Sequence, residues 1–411
     1  MRLRALDRGA KHPLRTSSIA AIIVAIIVVL GVVQVVRPVA PTTVATAIPS
    51  SPKISGTTPP MPWPRGVQAD AEVTGIGAWP EQGPSSPIPI GSLAKMMTAD
   101  LVLKAHPLTV GQNGPNLTVT PQDAAIYQQD SSSHQSVMYV KSGEKLSEFL
   151  LLEGLLVPSG NNIATMLGNW IGGNTAHFAQ EMNATAKSLG LHHTYYHGPV
   201  GLDPATVSTA ADQMRLATIM MQNPIFREIS AMPQLSVPGQ TPLDYNYNNL
   251  IGHHGVIGVK TGSTTQSGGC VVLAKNFRVG THTYTAYSSV IGVNHVNQIQ
   301  AALNDAYPLL NAAGKAIGSH TVISQGETVG AIKVPWQSSI PLVTAKSAKF
   351  IGWAGLHYSL HLTTHVPKGN TLAAGTVVGS LTAKLGTQTV TVPVKTAANL
   401  NPPSIPYRLT R

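Results

Sequence analysis

The sequence predicts an α/β (α+β) chain that ends in a small all-β domain. From about Val67 to Gly314 helical and strand patterns alternate, whereas after Gly318 short alternating runs are separated by Gly-rich turns. Ahead of both lies one long apolar run, Ile19 to Val36, in which Gln34 is the one strongly polar side chain. At 411 residues with 43% hydrophobic content, the chain has room for two folded units with sizeable cores.

Taken in chain order, residues 1–16 form a basic segment in which Arg2, Arg4, Arg8, Lys11 and Arg15 oppose Asp7. The apolar run within 17–37 is long enough to cross the hydrocarbon core of a bilayer. With the basic flank ahead of it, the positive-inside rule puts the N-terminus in the cytoplasm and all that follows Arg37 outside. A cleaved signal peptide is the alternative, with Ala45-Thr46-Ala47 as its nearest cleavage site. Either way the working part is extracytoplasmic. Residues 38–66 are rich in Pro, Thr, Ser and Ala, a composition that resists helix formation and reads as an extended spacer.

Within 67–317 the patterns predict helices over Glu144–Val157, Asn161–Trp170 and Phe178–Leu189. Strands are expected over Val256–Val259, Gly269–Ala274 and Thr283–Val293, and a closing helix over His295–Ala313. Residues 318–411 carry strand-like runs at Thr328–Val334, Thr376–Ala383 and Thr387–Val394.

Composition excludes several functions. The net charge of +10 comes partly from the N-terminal segment, and the remaining basic residues are scattered without interleaved aromatics, which argues against nucleic acid. Cys270 is the one cysteine, so no intrachain disulfide forms, and its Gly-Cys-Val-Val-Leu setting reads as a small buried strand residue. Among the 15 histidines, His192, His193, His197, His253 and His254 cluster without Cys or carboxylate at ligand spacing, so no metal and no cofactor is expected.

Three short patterns carry chemistry. Ser92-Leu93-Ala94-Lys95 follows an extended approach through Pro87, Pro89 and Gly91 and opens an apolar helical stretch. Residues at i and i+3 of a helix share a face, so Lys95 can touch Ser92. A serine hydroxyl needs a base within hydrogen-bond reach, and Lys95 serves if burial and a neighbouring cation keep it neutral. Ser159-Gly160-Asn161 sits where two helices meet; Ser159 can relay a proton to a leaving amine, and Asn161 can hold a substrate amide or orient Lys95. Lys260-Thr261-Gly262 lies at the end of a β-branched strand. There Lys260 and Thr261 suit a substrate carboxylate, Gly262 lets a substrate strand lie close, and the Ser263 N–H can join that of Ser92 as an oxyanion hole. A second Ser-x-x-Lys, Ser142 to Lys145, lacks partners and reads as a helix N-cap.

In this order and spacing the three patterns resemble the signature of penicillin-binding proteins and serine β-lactamases. The flanks Ser92-Leu-Ala-Lys-Met-Met-Thr98, Leu156-Val-Pro-Ser-Gly-Asn-Asn-Ile163 and Gly258-Val-Lys-Thr-Gly-Ser263 are similar to the D-alanyl-D-alanine carboxypeptidase branch. So are Gly201-Leu-Asp203 and Ser208-Thr-Ala-Ala-Asp212. The resemblance implies a penicillin-binding/β-lactamase-like transpeptidase fold, a five-stranded antiparallel sheet with helices plus a helical subdomain, over about residues 68–315. It further implies a β-rich C-terminal domain. The expected activity is removal of the terminal D-alanine from peptidoglycan stem peptides through an acyl-enzyme on Ser92, with β-lactams acylating the same residue. The chain departs from the pattern at Gly91 and Ala94, where many members carry Ala and Thr. A class A β-lactamase would add a deacylating Glu; Glu181 and Glu228 are the available ones and both lack context. A β-lactam or cell-wall sensor without turnover is the remaining alternative. The balance of carboxypeptidase and endopeptidase action is not readable from these residues, since both use the same groups.

Overall fold

The computed structural model describes residues 14–39, 42–49, 51–367 and 371–411, so most of the basic segment lies outside it. Leu14–Val36 forms a single helix whose apolar side chains from Ile19 to Val33 are exposed. Its Ser17–Val36 portion is long and apolar enough to cross a membrane.

The middle of the chain is built on a five-stranded antiparallel sheet. Its order is Val256–Thr264, Gly268–Val279, His282–Val293, Gln68–Val73 and Gly77–Ala78. Both faces of the central strands are buried, which explains the near-continuous apolar runs there. The helix Gln298–Lys315 covers one face through Ala302, Leu303, Ala306, Leu309 and Leu310. The other face receives Ala210–Met220 and Lys95–Ala105, behind which stand the helices Pro121–Ser132, Glu148–Leu156, Asn161–Gly172 and Thr175–Ser188. Side-chain caps start these helices where expected: Thr120 with Asp123 forms a capping box, and Asn174 and Thr209 accept from His177 N and Asp212 N.

From Gly318 on, the chain is strand-rich. The principal sheet has six antiparallel strands, in the order Thr43–Thr46, Thr328–Val334, Gln337–Thr344, Gln388–Thr396, Val377–Leu385, Ser359–Thr364. Strand periodicity is clear in Gln388–Thr396, whose inward Val392 and Val394 are buried beside Leu381 and Ala383. Trp79 and Trp353 stack at 3.7 Å between ring centroids and join this region to the back of the five-stranded sheet.

Three expectations are corrected. The segment 38–66 is extended but not free: Thr43–Thr46 pairs with Thr328–Val334, and Ile54 is buried, its N–H donating to Leu356 O. A Thr/Pro-rich segment that cannot build a core can still complete one when a distant sheet supplies its hydrogen-bond partners. The helix expected over Glu144–Val157 begins at Glu148, because Lys145–Ser147 pairs as a strand with Asn116–Thr118. Its N-cap is therefore Ser147, whose hydroxyl accepts from Leu150 N at 3.2 Å, and Ser142 lies exposed in a turn. Finally, Lys260-Thr261-Gly262 lies inside a strand that runs on to Thr264, not at the end of one.

Candidate active site

Ser92 sits in the tight turn Gly91–Ala94 that leads into the helix Lys95–Ala105. That turn touches the strand Val256–Thr264, and two glycines make the contact possible. Gly91 has φ +54, a left-handed conformation that costs a residue with a side chain more than glycine. A Cβ on Gly262 would lie 2.7 Å from Ser92 N and 2.9 Å from Leu93 N, so the space beside Gly262 belongs to the turn that carries Ser92. The same approach brings Ser263 N to about the same wall: a Cβ on Gly91 would meet it at 3.0 Å.

The Lys95 ammonium is wholly buried and lies 2.7 Å from Ser92 Oγ, 2.7 Å from Asn161 Oδ1 and 3.1 Å from Val200 O. Burial holds its pKa well below the ordinary lysine value; the positive charge of Lys260 adds to the effect, and Asp130 opposes it. The three neighbours match the neutral amine as a base. Its two hydrogens go to the Asn161 and Val200 oxygens, which leaves the lone pair on the Ser92 side. Asn161 is itself oriented, because its Nδ2 donates to Gln135 Oε1 at 2.8 Å.

Lys260 forms a second group. Its ammonium donates to Ser159 Oγ at 3.0 Å and to Thr261 O at 2.9 Å, and burial pulls its pKa down to about 7. Ser159 has φ +60, unusual for a residue with a side chain, a backbone strain of the kind that gathers at functional sites. A cleft of about 300 Å³ is lined by Ser92, Ser159, Asn161, Thr261, Gly262 and Ser263, with Lys95 and Lys260 set behind its wall.

All eight residues singled out in the sequence therefore meet at one cleft. Glu181 instead faces His177 at 3.7 Å, and neither it nor Glu228 lines the cleft. Cys270 is fully buried with its thiol pushed up to about 12 by burial. His193 and His197 do not converge: His197 Nδ1 lies 2.8 Å from Asp203 Oδ2, and the His193 N–H donates to Asp212 Oδ2. Sequence reasoning missed Gln135, Asp130 and the Val200 carbonyl. Gln135 and Asp130 belong to a polar stretch without a motif, and a backbone carbonyl has no side-chain signature.

Comparison with known proteins fits this geometry. Residues 80–281 match the family described as D-alanyl-D-alanine carboxypeptidase. A D-alanyl-D-alanine endopeptidase of Escherichia coli is 30% identical over 191 residues, covering 45% of this chain and 58% of that protein. The D-alanyl-D-alanine carboxypeptidase DacB2 of Mycobacterium tuberculosis is 36% identical over 141 residues, covering 33% and 48%. The chain thus spans only about half to three-fifths of the length of these relatives. Among solved structures, the Streptomyces K15 DD-transpeptidase superposes with a TM-score of 0.52 at 26% identity, over 62% of this chain and 98% of its own. Penicillin binding protein 5 from Haemophilus influenzae shares the fold, with a TM-score of 0.57 at 20% identity over 84% of this chain and 99% of its own.

Proposed function

We propose that the chain is a serine-type peptidase that removes the terminal D-alanine of peptidoglycan stem peptides, a reading supported by the match of residues 80–281 to the D-alanyl-D-alanine carboxypeptidase family. The observation that carries this reading is the buried Lys95 amine 2.7 Å from Ser92 Oγ, with its other contacts taken by Asn161 and Val200.

In this reading Lys95 takes the Ser92 hydroxyl proton as Oγ bonds to the carbonyl carbon between the two D-alanines. The oxyanion is held by the N–H groups of Ser92 and Ser263. The C–N bond then breaks as Ser159, hydrogen-bonded to Lys260, passes its proton to the leaving amine and regains one from Lys95, which is thereby neutral again. Lys260 and Thr261 hold the departing D-alanine carboxylate, while Gly262 keeps the strand close to the nucleophile's turn. Water, deprotonated by Lys95, hydrolyses the acyl-enzyme. β-Lactams acylate Ser92 by the same first step.

The reading places residues 67–317 as the catalytic domain and 318–411 as a β-rich accessory domain. It makes Ser17–Val36 an uncleaved anchor that keeps the catalytic part outside the cytoplasmic membrane.

Two assays on one preparation test the proposal: fluorescent penicillin labelling, and D-alanine release from a pentapeptide ending in D-Ala-D-Ala. Both are expected in the parent and neither in Ser92→Ala. Labelling without release would replace the peptidase with a sensor, and fast repeated turnover of nitrocefin would replace it with a β-lactamase.

A further inference from the structure

Away from the catalytic cleft, and sharing no lining residue with it, lies a cavity of about 450 Å³. It is formed where the chain leaves the helix Lys95–Ala105 and passes over the start of the helix Glu148–Leu156. Pro107, Leu108 and Pro115 give it apolar flanks, and His106, Gln112 and Glu148 bring polar groups. Two backbone hydrogen bonds fasten this loop to the helix start, from Glu148 N to Pro115 O and from Phe149 N to Asn113 O.

Glu148 is the unusual member. Its side chain is wholly buried, yet neither Oε1 nor Oε2 has a hydrogen-bond partner. The loop crosses so closely that a Cβ on Gly114 would lie 2.5 Å from Oε2. A place in the first turn of a helix favours an anion, but burial pushes the carboxyl up to about 7. The charged groups on neighbouring elements are committed elsewhere. Lys104 holds Asp100 at 2.6 Å, Arg227 donates to Met221 O, and Glu228 acts on Glu153. Lys95 serves the cleft, Lys145 is exposed, and the helix Asn161–Gly172 carries no charge. His106, the other ionisable side chain in the wall, stacks on Trp170 at 4.2 Å between ring centroids.

A buried carboxylate with both oxygens unused is matched by a planar fork of N–H donors, which reaches the two oxygens at once. The weak hydration of a guanidinium also suits apolar flanks better than an ammonium does. A metal ion is a poorer match, because among the described residues no three His, Cys, Asp or Glu side chains converge. We propose that this cavity binds an alkylguanidinium group, the chemistry of an arginine side chain, through a forked pair with Glu148. Gly114, which lies over the carboxyl, is the part of the loop that gives way as the fork enters. The site owes nothing to the peptidase reading, since it lies outside the cleft.

The test follows the thermal midpoint of the full chain in detergent against rising ethylguanidinium, with ethylammonium and propionamide as matched probes. At pH 8 ethylguanidinium is expected to stabilise saturably, with Kd about tenfold tighter than that of ethylammonium, and propionamide to have no saturable effect. From pH 7 to pH 5 the Kd should weaken about fifty-fold, because the carboxyl must then give up a proton to bind. Glu148→Gln keeps the shape without the charge and should abolish the effect. Nα-acetyl-L-arginine methylamide distinguishes the source: binding as tight as ethylguanidinium supports an arginine of a polypeptide, and none supports a free guanidinium. Absence of saturable stabilisation at pH 8 overturns the site, and so does stabilisation that survives Glu148→Gln. An equal Kd for ethylammonium overturns the guanidinium assignment, and a Kd indifferent to pH overturns the role of Glu148. Should Glu148→Gln fail to fold, the probe ranking and the pH profile of the parent decide alone.

Discussion

Lys95 and Lys260 are enclosed as completely as Leu381 and Val394, yet the two pairs sit in regions that bury very different material. The five-stranded sheet and the helices packed on it enclose two lysines at the cleft and, elsewhere in their interior, Asp70, Asp100, Glu148 and Asp212 beside methionines and leucines. In the strand-rich region from Gly318, Thr344 and Thr396 are the buried polar side chains among the described residues. Each hydroxyl donates to a backbone carbonyl, of Ser324 and Ala373 respectively. Enclosing a charge costs several kcal/mol unless its partners are well placed, so a region that carries no chemistry gains nothing by it. On the proposed function, the strand-rich region keeps its interior for stability and the cleft region gives up part of its own for reactivity. If that contrast is right, substitutions in the two regions separate activity from stability in opposite directions.

The largest separation is expected at Lys95. Lys95→Met removes the proposed base and should slow acylation by fluorescent penicillin about 10³-fold or more. Its effect on thermal unfolding should be small. The relief of no longer desolvating a polar amine offsets the loss of hydrogen bonds to Asn161 Oδ1 and Val200 O. Acylation within tenfold of the parent would remove Lys95 from the base role. A collapse of Tm would instead show that the buried lysine holds the region together.

The mirror experiment is Leu381→Ala. Leu381 is buried in the six-stranded sheet among Val392, Val394 and Leu385, and its removal should cost about 2–5 kcal/mol in denaturant unfolding. The acylation rate of the folded fraction should not change. A parallel loss of acylation would break the contrast and show that the Trp79–Trp353 stack transmits more than alignment between the regions.

The same contrast explains what could be read from the sequence. The strands Thr328–Val334 and Gln388–Thr396 were legible because period-two alternation is a local property of a half-buried strand. The convergence of Ser92, Lys95, Ser159, Asn161 and Lys260 on one cleft was legible because three short patterns recur in a known order. No single pattern sufficed, as the exposed copy at Ser142 and Lys145 shows. What failed was whatever depends on a distant partner. The docking of Thr43–Thr46 needs Thr328–Val334, and the late start of the helix Glu148–Leu156 needs Asn116–Thr118. Gln135 matters only because Asn161 turns its amide toward it, and Gly262 because the Ser92 turn comes within contact distance. Such roles are written in the packing of remote segments, which local periodicity does not report.

The smallest effect is the one that tests burial of charge most directly. Lys260 keeps a proton at ordinary pH in the unfolded chain, but in the folded chain its pKa is pulled down to about 7. Between about pH 7 and the model-peptide value near 10.4, the unfolded chain binds more protons than the folded one, so stability rises with pH across that window. Below pH 7 both states carry the proton and the penalty is present in full. Lys260→Met has no such proton, so its stability relative to the parent should fall with pH, by about 1 kcal/mol from pH 7 to 8. The difference between Leu381→Ala and the parent should stay flat over the same range, because no proton is involved. Urea unfolding of the three proteins at several pH values measures both slopes. A flat Lys260→Met difference would mean that this lysine keeps its proton in the folded cleft across the range, and with it the charge that favours a neutral Lys95.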